Sequence, residues 1–147
     1  MYGFLECTTG QYMTQKVLTV SRRLALKDLE KLFEQHDYNA FPVVDEQTKK
    51  MIGLVSKFDF LKAFAFTTGQ LVPHYDSLME EVVGDIMTEA VIHVEPITPL
   101  TRVLQLMIQL RMRSFPVLAH GEQLVGMIAR EDVMRALNEN ANKKEAR

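Results

Sequence analysis

The run Phe41-Pro42-Val43-Val44, followed by Gly53-Leu54-Val55-Ser56-Lys57-Phe58-Asp59, returns later as Phe115-Pro116-Val117-Leu118 and Gly126-Met127-Ile128-Ala129-Arg130-Glu131-Asp132. The match extends outward on both sides. Gly10, Met13 and Thr14 return as Gly84, Met87 and Thr88, and Val20, Leu26, Leu29 and Leu32 as Val94, Leu100, Val103 and Leu106, all at one offset. A polar loop shortens that offset by one residue before Gly126. Self-similarity at a fixed spacing with a single loop indel marks a repeated structural unit.

Each copy reads as the same string of elements. A short apolar strand comes first, at Val17–Val20 or Val91–Val94. A helix follows, on Leu26, Leu29, Leu32 and Phe33 in copy one and on Leu100, Val103, Leu104, Met107 and Leu110 in copy two, with Thr98 as N-cap and Pro99 as first helical residue. The aromatic-Pro pair then opens a strand, because a pre-proline residue is pushed to extended geometry and proline is tolerated at a strand start or edge. A polar turn (Asp45 to Lys50, or Ala119 to Gln123) leads to a second strand, Met51–Ser56 or Leu124–Ala129, and a helix closes the unit. A half of about 60 residues buries little surface alone, so the two copies are expected to pack together. The segment Thr67 to Ser77 reads as the linker, and the tail from Asn138 as polar and frayed.

The composition places limits on function. The chain has 147 residues, 47% hydrophobic and 24% charged, with a net charge of −2, so it is expected to fold and carries no bulk basic field for nucleic acid or an anionic membrane. No run reaches the ~18 apolar residues of a membrane span, and the start MYGFLECTTGQYMTQK lacks the pattern of a signal peptide, which points to a cytoplasmic chain. A lone Cys7 makes no internal disulfide. His36, His74, His93 and His120 show no metal-ligand spacing, and neither Ser56 nor Cys7 has a recognisable activating base, so neither a metal site nor catalytic residues are assigned. The nine methionines read as core filler.

In combination these residues resemble the CBS domain family from Gly10 to Leu137. The marks are Met-Thr before the first strand, Thr19-Val20 within it, aromatic-Pro-Val opening the second, and Gly-apolar-apolar-Ser-x-x-Asp from Gly53 to Asp59. The resemblance implies an α+β fold, two βαββα CBS repeats (residues 8–70 and 82–140) packed with pseudo-two-fold symmetry into one module. It also implies adenosine ligands (AMP, ADP, ATP or S-adenosylmethionine) in two clefts between the repeats, with no cofactor required and no reaction catalysed. A homodimer is expected through the helix Phe58 to Phe66, whose Phe58, Phe60, Leu61, Phe64 and Phe66 surround more than one face. The regulated partner protein is not named by the sequence.

With Ser56 ending a strand and Asp59 in the first turn of the next helix, both face one mouth with free backbone N–H groups. There a carboxylate suits ribose hydroxyls, and a hydroxyl and helix N-terminus suit phosphate. The same Ser-x-x-Asp also reads as a capping box. Adenine is expected along Thr19 and Val20 and the strand start Ala40, Phe41, Pro42 and Val43. Copy two offers His93, Arg113, Ser114, Phe115, Pro116, Arg130 and Asp132, but Ala129 where the hydroxyl belongs, so copy one is expected to bind better. At the phosphate-contacting position before the strand proline, copy one has Asn39 against Arg113, and Lys57 reads as an exposed first-turn residue. So few cations favour AMP or ADP over ATP. The competing reading is a structural or oligomerisation module with vestigial clefts.

Overall fold

A computed structural model describes residues 2–65 and 75–145. The described residues divide into two compact units, and these are not the sequence repeats themselves. Leu18–Val91 form one unit, and the residues up to Val17 join those from Ile92 onward in the other. Each repeat therefore receives the Met-Thr segment that precedes its partner in sequence.

In the unit from Leu18, helix α3 (Leu26–Gln35) leads to strands β1 (Ala40–Val44) and β2 (Met51–Ser56), helix α4 (Lys57–Ala65) and short helix α5 (Tyr75–Met79). The other unit holds α1 (Tyr2–Leu5), α2 (Thr9–Tyr12), α6 (Leu100–Leu110), β3 (Ser114–Ala119), β4 (Gln123–Ala129) and α7 (Arg130–Glu145). This is the α+β repeat pattern expected. Each hairpin is antiparallel, with Phe41 opposite Val55 and Val43 opposite Gly53 in one, and Phe115 opposite Ile128 and Val117 opposite Gly126 in the other. Those apolar residues are fully buried, and each hairpin packs beneath its own helix through Leu26 and Leu29 or Leu100 and Val103.

The first strand of each repeat shrinks to one residue. The Val20 N–H donates to the Pro42 carbonyl at 3.0 Å and the Val20 carbonyl accepts the Val44 N–H at 3.0 Å; Val94 does the same with Pro116 and Leu118. The next rung of a parallel ladder would need an N–H from Pro42 or Pro116, and proline has none, so pairing stops there.

Three boundaries differ from expectation. Pro99 is the N-cap of α6 and Leu100 its first residue, because the Thr98 hydroxyl is turned back to accept the Glu95 amide at 2.9 Å. Of the tail expected to fray, Asn138 to Glu145 belong to α7, since Asn140 is buried and its side chain donates to the Ala136 carbonyl at 2.7 Å and Cys7 Sγ at 3.1 Å. Of the expected linker, Tyr75 to Ser77 belong to α5; the rest, like Phe66, lies outside the described residues.

What closes each unit is a glycine. Leu54 and Thr88 exchange backbone hydrogen bonds at 2.9 and 2.8 Å, and Met127 and Thr14 at 2.9 and 2.8 Å. A Cβ on Gly53 would lie 2.8 Å from the Thr88 carbonyl, and one on Gly126 2.8 Å from the Thr14 carbonyl. Both obstacles are backbone. Gly53→Ala and Gly126→Ala should therefore each lower stability by about 1–3 kcal/mol, the usual cost of overpacking, read as a lower urea midpoint. A midpoint unchanged in either variant would refute this account of the docking.

Candidate functional site

Each closing helix begins directly at the end of its hairpin. Ser56 ends β2 and Lys57 opens α4, with the Lys57 amide donating to the Asn39 carbonyl at 2.9 Å. Arg130 donates to the Arg113 carbonyl at 3.0 Å in the same way. The residue just before β1 or β3 thus fixes where the helix N-terminus sits.

Around Asp59 the hydrogen bonds form a reciprocal cap. The Ser56 amide and hydroxyl donate to Asp59 Oδ2 at 2.9 and 3.0 Å, and the Asp59 amide donates to Ser56 Oγ at 3.0 Å. The Thr88 hydroxyl donates to Asp59 Oδ1 at 3.3 Å. Asp59 is only 8% exposed. A carboxylate oxygen accepts two hydrogen bonds, so Oδ2 is saturated while Oδ1 keeps capacity for one more donor.

Asp132 is built differently. Its Oδ2 accepts the Ala129 amide at 2.8 Å, no serine hydroxyl reinforces it, and its Oδ1 meets Arg135 Nη1 at 3.3 Å. The register adds a compensation: Ala40 stands opposite Ser56, whereas Ser114 stands opposite Ala129. The serine has changed strands but stays on the same face, since directly opposed residues carry their side chains together.

The remaining expected site residues separate into two groups. Thr19, His93, Arg113 and Arg130 are exposed, and Ala40 and Ser114 are half-buried at strand starts. Val20, Phe41, Pro42, Val43, Phe115 and Pro116 are buried, with Phe41, Val43 and Phe115 at 0% exposure inside the cores, so a ligand along these strands meets backbone rather than those side chains. Sequence reasoning missed Thr88 and Arg135 as partners of the two carboxylates. Met-Thr was noted as a repeated pair, but only the exchange of segments brings it to Asp59; Asp132-x-x-Arg135 is an (i, i+3) pair readable on any helix. His36 stacks on Tyr38 with ring centroids 5.7 Å apart, and His120 is exposed. Among the described residues no His, Cys, Asp and Glu group is arranged to hold a metal ion, and no helix is long and apolar enough to cross a membrane.

A doubled hairpin-and-helix unit, each copy with a carboxylate capping its closing helix, defines a tandem-repeat module. The CBS domain model matches residues 10–66 and 83–139, and the chain belongs to that family. It is 29% identical to the chloroplastic CBS domain-containing protein CBSX1 of Arabidopsis thaliana, over 88% of this chain and 63% of that protein. It is 31% identical to the uncharacterized protein MJ0188 of Methanocaldococcus jannaschii, over 95% of this chain and 48% of that one. The chain thus spans 48% to 63% of the length of these curated relatives. Among solved structures, the crystal structure of Arabidopsis CBSX2 in complex with AMP superposes with a TM-score of 0.77 at 26% identity, covering 91% of this chain and 98% of that one.

The cap makes a prediction that needs no ligand. Ser56→Ala should cost about 1 kcal/mol, the usual loss for an N-cap hydroxyl, and Ala129→Ser should add stability to the opposite unit. Urea denaturation of both variants checks it; equal and negligible shifts would count against the cap.

Proposed function

We propose that this chain binds an adenine nucleotide, AMP or ADP in preference to ATP, and acts as a regulatory energy or metabolite sensor that catalyses no reaction. The observation that carries the reading is the buried Asp59 carboxylate at the start of α4, whose Oδ1 retains acceptor capacity for a ribose hydroxyl. A relative at 26% identity was crystallised with AMP, which supports an adenine ligand. In this reading Asp59 takes ribose, and the Ser56 region and α4 N-terminus take phosphate. Thr19 and Val20, with the strand start from Ala40 to Val43, flank the base through backbone groups and apolar contact. At the second and weaker site, beside Asp132, the available cations are Arg113 and Arg130, and His93 and the strand start from Ser114 to Pro116 would flank a base. S-adenosylmethionine is the alternative ligand. The protein is placed in the cytoplasm, and its output is read by a partner protein.

The homodimer belongs to the same proposal. Phe58 and Leu61 are 61% and 65% exposed on α4, Phe60 and Phe64 pack into the core of their own unit, and Lys62 lies over the Phe58 ring at 5.5 Å. A second copy would cover this apolar stripe. Light scattering at tens of micromolar should give a dimer mass, and Leu61→Asp should return the monomer; a monomeric wild type would refute the dimer.

One observation favours the rival reading, a structural or oligomerisation module with vestigial sites: Ser56 and Asp59 already satisfy one another. Ligand titration separates the two. AMP at ~100 times its dissociation constant should stabilise the fold by roughly 2.7 kcal/mol, which for a chain of this size raises the melting midpoint by about 2–4 °C per kcal/mol. Asp59→Ala should abolish that rise. Because Asp59 also caps α4, the comparison uses the ligand-induced shift and not the absolute midpoint. Flat midpoints with AMP, ADP, ATP and S-adenosylmethionine at millimolar concentration would leave the structural reading in place.

A further inference from the structure

Asp59 and Asp132 occupy the same place in their units, yet different groups hold their second oxygens. The neutral Thr88 hydroxyl meets Asp59 Oδ1, whereas the Arg135 guanidinium meets Asp132 Oδ1, each at 3.3 Å. In the other repeat Lys62 holds the position of Arg135, and its ammonium lies over the Phe58 ring and makes no ion pair with Asp59.

Arg135 is fixed from a second side. Its Nη2 donates to the Tyr12 carbonyl at 3.0 Å, and its guanidinium lies 5.5 Å from the Tyr12 ring centroid. Tyr12 is itself anchored, donating to Glu139 Oε2 at 2.8 Å and accepting from Asn140 Nδ2 at 3.3 Å. The hydrogen bond to Glu139, above all, raises the Tyr12 pKa, so the phenol stays a protonated donor. A single exposed ion pair holds weakly, but a planar guanidinium gripped at both edges loses less entropy in holding its place.

We propose that Arg135 withholds Asp132 from ribose, so that the chain binds one nucleotide, at Asp59. The inference rests on the adenine-nucleotide reading above and makes Arg135 a positioning residue that acts through Asp132. A ribose hydroxyl is a neutral donor. At Asp132 Oδ1 it must come in beside, or displace, a guanidinium whose other edge is anchored on the Tyr12 carbonyl, so the resident donor does not turn away. At Asp59 Oδ1 the resident donor is a threonine hydroxyl, whose O–H rotates to suit an incoming group.

Isothermal titration calorimetry of the full chain with AMP tests this. The wild type should bind one AMP per chain. Arg135→Met, which keeps the apolar stem over Tyr12 but no donor, should bind two, and adding Asp132→Ala should bring it back to one. Arg135→Lys, which installs the residue that leaves Asp59 free at this position in the other repeat, should also bind two. Should the methionine variant not fold, Arg135→Gln carries the same expectation of two sites. Two sites in the wild type, or one in a folded Arg135→Met or Arg135→Gln, would overturn the role of Arg135 and leave the nucleotide reading standing. No binding of AMP by any variant would overturn both.

Discussion

The structure depends on two backbone contacts made possible by the absence of a side chain. At Gly53 the Met87-Thr88 segment, and at Gly126 the Met13-Thr14 segment, lies close enough for reciprocal backbone hydrogen bonds and leaves no room for a Cβ. A two-stranded hairpin is marginal alone, and its free edges invite other pairing. The hairpin gains a parallel bridge at Val20 or Val94 on one edge and the Met-Thr bridge on the other. Because that second bridge comes from the segment preceding the other repeat, neither repeat completes its own edges. The compact units are built by exchange, and the doubling of the sequence is a requirement of the fold.

At the start of the closing helix the two units share a backbone and diverge in side-chain chemistry. Both carboxylates cap the closing helix through the amide three residues earlier, at 2.9 and 2.8 Å. Oxygens beyond that point see different neighbours: Ser56 and Thr88 hydroxyls for Asp59, and the guanidinium of Arg135 for Asp132. The exchange of Ser56 and Ala40 for Ala129 and Ser114 across the ladder moves a hydroxyl to the facing strand without altering the register. A site framed by hydroxyls presents neutral donors, whereas one framed by arginine presents a fixed positive charge, and the difference rests on a few positions.

The repeat, its element order and the α+β class were legible because they rest on local rules: apolar spacing in α3 and α6, aromatic-proline strand starts, and a polar turn between strands. The first strand was over-read. Val17–Val20 and Val91–Val94 have strand composition, but a ladder depends on its partner, and Pro42 and Pro116 deny it a second rung. The tail was under-read, since Asn138 to Glu145 is polar in composition and its helix is held by the burial of Asn140 against Cys7 and Tyr12, residues of a distant segment. Within the site, Ser56 and Asp59 could be named from their motif. Thr88 and Arg135 could not be weighed, because their importance comes from which segment packs on which hairpin.

Thr88 also bounds what a ligand at Asp59 can communicate. Its hydroxyl touches the carboxylate and its backbone is bridged to Leu54, while the chain leaves this unit just beyond Val91. A ribose that takes the remaining capacity of Asp59 Oδ1 either shares that oxygen with Thr88 or displaces it. Displacement forfeits one hydrogen bond to a charged group, worth about 1.5–3 kcal/mol net. Since 1.4 kcal/mol is a factor of ten, this route alone couples occupancy to the arrangement of the connecting segment by at most about a hundredfold. No ligand shifts an equilibrium by more than its differential affinity for the two states, so a larger response must draw on contacts beyond Asp59. A hundredfold falls short of the ~10⁴-fold needed to carry a two-state equilibrium from one extreme to the other, so under the proposed function such a module would bias a partner more than switch it completely.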